Sequence, residues 1–299
     1  MIYTITFNPA IDYVIHTDNI RTGEVNRTSS ETYFIGGKGI NVSVVLAELG
    51  VKSVALGFVA GFTGDAIENG LLRKGISTDF IKLDNGFSRI NVKIKSDEET
   101  EINGQGPEIS DEAIAELFRK LDSINSGDIL VLAGSIPKSL DSDIYERILS
   151  YCDGKGVRFV VDASGSLLLN VLKYNPFLIK PNNHELGEMF GVKASSSAEI
   201  EKYALKLREM GARNVLVSMA GDGAVLFAED GNTYSCGVCK GTVRNSVGAG
   251  DSMVAGFIAG ISDGDYSHAL KLGTACGGAT AFSDDLAVKE DIDRLLKTL

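Results

Sequence analysis

Asp128-Ile129-Leu130-Val131-Leu132-Ala133 is a short apolar run opened by an aspartate. After a segment with helical spacing over 139–151 it is answered by Val157-Arg158-Phe159-Val160-Val161-Asp162, apolar but for Arg158 and closed by an aspartate. A strand that is apolar at every position suits a sheet covered on both faces, because neither side of the pleat meets water. A helix between two such strands is the crossover that a parallel pair requires. The pattern extends outward in both directions. Residues 2–8, 53–59 and 213–218 are further apolar runs, and 40–50, 64–74, 110–122 and 196–210 carry helical spacing with polar faces. Ser110-Asp111-Glu112 gives one of these helices a capping start. The alternation predicts an α/β fold, an αβα sandwich around a mostly parallel central sheet.

Two stretches break the alternation. Residues 11–35 and 87–104 contain period-two segments such as Arg89-Ile90-Asn91-Val92-Lys93-Ile94-Lys95, which read as strands with one wet face outside the main sheet. A small β-sheet built from them would serve as a lid over a ligand or as an edge that pairs with a second subunit. Residues 223–227 and 231–235, flanking Glu229-Asp230-Gly231, read as a hairpin, followed by a Gly-rich turn and two Ala/Gly-rich helices over 250–262 and 265–282. Gly260-Ile261-Ser262-Asp263-Gly264 spells the G-x-S-x-G pattern. That motif needs a strand before the serine and a helix after it; here a helix precedes, so the segment reads as a C-terminal turn.

The 299 residues are 44% hydrophobic and 23% charged, ordinary for a globular protein and enough to bury a core without disulfides or structural metal. The charge of 29 − 40 = −11 argues against binding to nucleic acid, which needs clustered cations, but leaves room for one small anionic ligand. The opening Met1-Ile2-Tyr3-Thr4 has neither a charged leader nor a long apolar run, and no stretch approaches the ~20 apolar residues of a membrane span. A cytoplasmic chain is expected. Cys152 and Cys276 fall in apolar helical surroundings, and Cys236 and Cys239 form a C-x-x-C without the second ligand pair or βαβ context that zinc or redox chemistry needs, so reduced thiols are expected. His184 lacks a second histidine four residues on, so the zinc-protease helix is absent.

Three segments carry candidate chemistry. Asn245-Ser246-Val247-Gly248-Ala249-Gly250-Asp251-Ser252 runs into an apolar helix, whose free N–H groups and dipole suit a phosphoryl group. Asp251 in that turn reads either as a helix cap or as a base that accepts a proton from an attacking hydroxyl. Gly36-Gly37-Lys38-Gly39-Ile40-Asn41 opens another helix and matches neither a Walker A loop nor a dinucleotide fingerprint. Lys180-Pro181-Asn182-Asn183-His184-Glu185 follows an apolar strand, and its Asn182 and Glu185 read either as a capping box or as ligands of a hydrated metal.

Together these segments resemble the ribokinase-like PfkB family of carbohydrate kinases, and within it the branch acting on phosphorylated ketohexoses. The resemblance covers the whole chain as one kinase domain, 1–299. Thr4-Ile5-Thr6-Phe7-Asn8-Pro9-Ala10-Ile11-Asp12 is similar to that branch's opening, Gly36 to Asn41 to its first glycine motif, and Val247 to Ser252 to its second. Gly134-Ser135-Ile136-Pro137, Asp162-Ala163-Ser164-Gly165 and Lys180 to Glu185 fall between them in family order.

The resemblance implies transfer of the γ-phosphoryl group of ATP to the C6 hydroxyl of fructose 1-phosphate, giving fructose 1,6-bisphosphate. Transfer to the C1 hydroxyl of tagatose 6-phosphate is the alternative within the class, and a non-catalytic sugar-phosphate or nucleotide sensor is the alternative outside it. Asp251 would be the general base, its pKa needing no large shift, with the amides of Gly248, Ala249 and Gly250 as the anion hole. Asp12, Gly37, Lys38, Asn41, Arg89 and Ser135 would bind the sugar phosphate. Lys180, Asn182, Ser218, Gly221 and Gly223 would contact the nucleotide, while Asn182 and Glu185 would organise Mg²⁺ through water. The lid of relatives implies a homodimer, with Arg27 reaching a substrate phosphate from it. Residues 103–107 read Asn-Gly-Gln-Gly-Pro where Asn-Glu-Pro-Gly-Pro is expected, which predicts a looser lid tip. Ala220 stands where glycine is frequent.

Overall fold

The structure, a computed structural model, describes residues 1–261 and 264–299; Ser262 and Asp263 of the G-x-S-x-G pattern lie outside the described residues. The chain begins β1 (Ile2–Thr6), β2 (Ala10–His16), β3 (Ser30–Gly36), α1 (Lys38–Glu48), β4 (Ser53–Ala60), α2 (Gly61–Arg73), β5 (Ser77–Thr78), β6 (Ile81–Leu83), β7 (Arg89–Lys95) and β8 (Thr100–Asn103). It continues α3 (Asp111–Leu121), β9 (Ile129–Ala133), α4 (Ile144–Cys152), β10 (Arg158–Asp162), α5 (Gly165–Val171), β11 (Leu178–Ile179), α6 (Asn183–Met189) and α7 (Ser197–Glu209). It closes with β12 (Asn214–Ser218), β13 (Ala224–Phe227), β14 (Thr233–Cys236), α8 (Ala249–Gly260), α9 (Tyr266–Ala281) and α10 (Lys289–Leu296).

The large sheet has the order β14-β13-β12-β11-β10-β9-β1-β4-β5, with β6 also beside β4. Every pairing from β12 to β5 is parallel, and the β13–β14 hairpin adds antiparallel strands at one edge. The apolar runs are buried on both faces. In β9, Leu130 and Leu132 point into one core with α3, α4 and α7, while Ile129, Val131 and Ala133 point into the other with α1, α8 and α9. That division explains why these strands show no polar alternation. Helix α1 is fixed to the end of β1 by the Ile40 N–H, which donates to Thr6 Oγ1 at 3.0 Å.

The small sheet has the order β3-β2-β7-β8, with β2 and β7 parallel and the outer pairs antiparallel. Its register puts Phe34, Asp12, Asn91 and Asn103 in one row across four strands. Asn8 Nδ2 donates to the Gln105 carbonyl at 2.8 Å, so the segment expected to be loose is tied to the end of β1.

Helix α4 starts at Ile144, not near 139, because Pro137 and Asp141 carbonyls accept from Leu140 and Ile144 in successive turns. The seven-residue α5 was too short for periodicity to reveal, and the short β11 and α6 showed only as the apolar strand before Lys180 and the cap signal at Asn182 and Glu185. The cysteines are all free and buried. No helix among the described residues is long and apolar enough to cross a membrane.

Candidate active site

In an open parallel sheet, ligands bind beyond the carboxyl ends of the strands where strand order reverses. Here the order reverses at β1, which lies between β4 and β9. Asp162 ends β10, Lys180 follows β11 and Ser218 ends β12. A cleft of about 520 Å³ at this edge is lined by Asp12, Gly37, Lys38, Asn41, Arg89, Asp162, Lys180, Asn182, Glu185, Ser218, Gly248, Gly250 and Asp251. Most of the residues singled out from sequence are therefore brought together. Ser135 lines an adjoining cavity of about 400 Å³ that shares Lys38. Ala249, Gly221 and Gly223 do not line the cleft, and Arg27 lies in the exposed loop between β2 and β3.

Gly248 caps α8 in the left-handed region at φ 79°, and a Cβ there would stand 2.7 Å from Leu286 Cδ2. This turn makes Asp251 a first-turn residue of α8, so the helix-cap reading of Asp251 fails: the cap position is Gly248. The Ala249 N–H donates to the Ser246 carbonyl at 3.2 Å, while Gly250 lies under the Lys180 ammonium.

Asp251 is buried, and its Oδ2 accepts from Asn41 Nδ2 at 2.8 Å. Beside it, buried Asp162 holds Lys180 Nζ at 3.3 Å and Lys38 Nζ at 3.8 Å. Burial and then the neighbouring Asp162 charge push the Asp251 carboxyl up to about 7, against the opposing pull of Asn41, Lys38 and Lys180. Asp162 goes the other way: burial alone would raise it, but Lys180 and Lys38 outweigh burial and hold it below the ordinary range. The Asp162 charge in turn raises Lys38. Two carboxyls in one enclosed space thus divide the roles, one ionised and salt-bridged, the other poised near neutrality. The pairing of Lys38 with Asp162 was not legible in the sequence, where Asp162 carried no assigned role; an aspartate closing a buried parallel strand was the available signal.

At the other end of the cleft, Asn91 Nδ2 donates to Asp12 Oδ1 at 2.8 Å, and Arg89 Nε donates to the Asn8 carbonyl at 3.1 Å. Burial lowers the Arg89 pKa, with Asp12 opposing, and no carboxylate ion pair is formed by Arg89 among the described residues. That leaves a guanidinium facing the cleft for an anion.

Asn182 and Glu185 form a capping box: Asn182 Oδ1 accepts from the Glu185 N–H, and Glu185 Oε2 from the Asn182 N–H, each at 2.8 Å. Among the described residues no group of three or more His, Cys, Asp or Glu is arranged to hold a metal ion. With one Glu185 oxygen unengaged and the cleft open beside it, the donors suit a hydrated divalent ion carried by phosphates, not a protein cage. Ser218 pairs with Asn182 by an isolated parallel bridge, and Ala220 beyond it adopts φ 47°. That left-handed backbone explains why glycine is the expected residue at 220.

The fold is a ribokinase-like α/β fold. The model of the pfkB family of carbohydrate kinases matches residues 5–289, and the chain belongs to that family. It is 50% identical over 297 residues to a 1-phosphofructokinase of Bacillus subtilis, covering 99% of this chain and 97% of that protein. It is 40% identical to a D-tagatose-1-phosphate kinase of Bacillus licheniformis, covering 98% and 97%. Phosphofructokinase-2 from Escherichia coli, solved with substrates and products, superposes with a TM-score of 0.93 at 26% identity, covering 100% and 99%. The chain is accordingly a phosphotransferase of carbohydrate metabolism, of a family that uses ATP, generally with a divalent metal.

Two outcomes follow for stability. The raised Asp251 pKa means that its contribution to stability is fully present below about pH 4, the unfolded value, and is lost as pH rises through about 7. Asp251→Asn should therefore be more stable than the parent at pH 8, on the order of 1–3 kcal/mol, with the gap closing towards pH 5. Urea melts at both pH values read this, and equal gaps would refute it. Ala220→Gly should stabilise by about 0.5–1 kcal/mol by releasing the left-handed alanine, read in the same melts.

Proposed function

We propose that the chain transfers the γ-phosphoryl group of ATP to the C6 hydroxyl of fructose 1-phosphate, giving fructose 1,6-bisphosphate, with Mg²⁺, in the cytoplasm. The observation that carries the reaction is Asp251, a buried carboxyl poised near neutrality at the first turn of α8, facing a cleft lined by the cations Lys38, Arg89, Lys93 and Lys180. Phosphoryl transfer asks a protein for positioning and charge stabilisation and for one group to take the hydroxyl proton. Asp251 takes that proton, and Asn41 orients it through the Oδ2 hydrogen bond. The N–H groups of Gly248, Ala249 and Gly250, once Ala249 releases the Ser246 carbonyl, hold the transferring group. Lys38 and Lys180 draw negative charge towards them, and Asp162 keeps both in place.

Asp12, Gly37, Asn41 and Ser135 hold sugar hydroxyls, and Arg89 with Lys38 holds the phosphate already present. Asn182, Ser218, Gly221 and Gly223 contact the nucleotide. Mg²⁺, when bound, neutralises phosphate charge, and Glu185 with Asn182 would hold its waters. The whole chain acts as one kinase unit, with the small sheet as its lid. Exposed Tyr33 and Ile102 on that sheet support a homodimer through it, and Arg27, from the loop between β2 and β3, reaches a phosphate.

A second reading is favoured by the Bacillus licheniformis relative: tagatose 1-phosphate, again phosphorylated at C6. Both relatives' names place the existing phosphate at C1, which supports that end over tagatose 6-phosphate. A coupled ADP-release assay with Mg-ATP separates these by kcat/KM for fructose 1-phosphate, tagatose 1-phosphate and tagatose 6-phosphate. Fructose 1-phosphate should be preferred. A preference for either other sugar changes the substrate and keeps the mechanism, while no turnover with any leaves a sensor.

Asp251→Asn should retain sugar-phosphate binding and lose about 10²- to 10⁴-fold in kcat. The parent's kcat/KM should fall tenfold per pH unit below about 7, where Asp251 is protonated and cannot accept. Near-normal turnover in the variant would overturn the assignment.

A further inference from the structure

We infer that Asn91 is a positioning residue for the sugar-binding carboxylate of Asp12, and through it sets discrimination between phosphoketohexose epimers. The inference deepens the proposed reaction and rests on Asp12 meeting sugar hydroxyls. Asn91 is directly opposite Asp12 in the parallel β2–β7 pairing, so the register alone brings the two side chains together. The amide Nδ2 donates to Asp12 Oδ1 at 2.8 Å, which fixes the orientation of the amide, because an ionised carboxylate only accepts.

The other carboxylate oxygen is placed by Gly36, where an added Cβ would stand 2.4 Å from Asp12 Oδ2. Any side chain at 36 would push the carboxylate away. Asp12 is thus held between an amide on one side and a bare backbone on the other.

Asn91 itself is 7% exposed, lines the cleft, and its Oδ1 has no hydrogen-bond partner. A buried acceptor left empty is uncommon and calls for an explanation. The next position on the same face, Lys93, satisfies itself on Glu101 at 2.7 Å, so the vacancy is confined to the Asp12 row. Asn91 Oδ1 and the Asp12 carboxylate both only accept, so each suits its own donor, a hydroxyl of the ligand. The amide and carboxylate together then report where a hydroxyl stands on the ring or chain, and an epimer that moves that hydroxyl leaves buried polar groups unpaired.

The test is a double-mutant cycle of Asp12→Ala and Asn91→Ala, with Asn91→Asp as a nearly isosteric variant should the alanine fail to fold. Kinetics with Mg-ATP give KM for fructose 1-phosphate and tagatose 1-phosphate, KM for ATP, and kcat. Asn91→Ala should raise the fructose 1-phosphate KM about tenfold, leave the ATP KM within twofold, and shrink the preference between the two epimers. Asn91→Asp should raise that KM further, since a second carboxylate faces Asp12. The double variant should be no worse than Asp12→Ala alone. Sugar and ATP KM rising together, an unchanged epimer preference, or additive losses in the double variant would each overturn the inference. If the parent phosphorylates no phosphoketohexose, the reaction proposal alone fails. The same cycle is then read as the thermal shift given by fructose 1-phosphate, and coupling of the two losses, or its absence, decides the pairing.

Discussion

Everything at the site depends on keeping two carboxylates and two ammonium groups in one enclosed space. Isolated ions would be prohibitive there, since an unpaired buried charge is strongly disfavoured. Asp162 between Lys180 and Lys38 solves most of the problem, and the remaining carboxyl, Asp251, is left to share the repulsion. It therefore sits near neutrality without any special device. The same arrangement leaves the lysines' charge directed towards the cleft, where an acidic chain with a net −11 must gather the few cations that anionic ligands need.

The fold exists to hold those groups at one edge. Each comes from a different strand end or helix start: Lys38 and Asn41 from α1, Asp162 from β10, Lys180 from after β11, and Asp251 from α8. The two apolar cores on either side of the sheet lock the strands in register. The small sheet adds the opposite wall through Asp12, Asn91 and Arg89, which its parallel β2–β7 pairing brings alongside one another.

How much of this was legible can be judged element by element. The doubly buried strands were, because Ile129 to Ala133 has no polar position to mark a wet face, and β1, β4, β10 and β12 are mostly apolar runs with few polar positions. The small sheet was too, since Arg89 to Lys95 alternates strictly. The glycine turns pointed to α1 and α8, and hence to Asp251. What local pattern could not supply was the long-range pairing. Asp162 and Lys180 are adjacent only because β10 and β11 are neighbours, and Asn91 meets Asp12 across 79 residues of chain. The Asn182–Glu185 pair read equally as cap and as ligand set, and the structure contains the cap without removing Glu185 from the cleft. Ala220 could be read only as a departure, until its left-handed backbone gave the reason glycine is expected there.

Asp251 should carry a proton at mildly acidic pH and release it near neutrality while Asp162 stays ionised. Infrared difference spectroscopy of the unliganded protein against Asp251→Asn measures this directly. A protonated-carboxyl C=O band is expected in the parent, absent from the variant and titrating at about 7. A parent spectrum without that band at pH 6 would show Asp251 ionised throughout and rule out a carboxyl poised near neutrality.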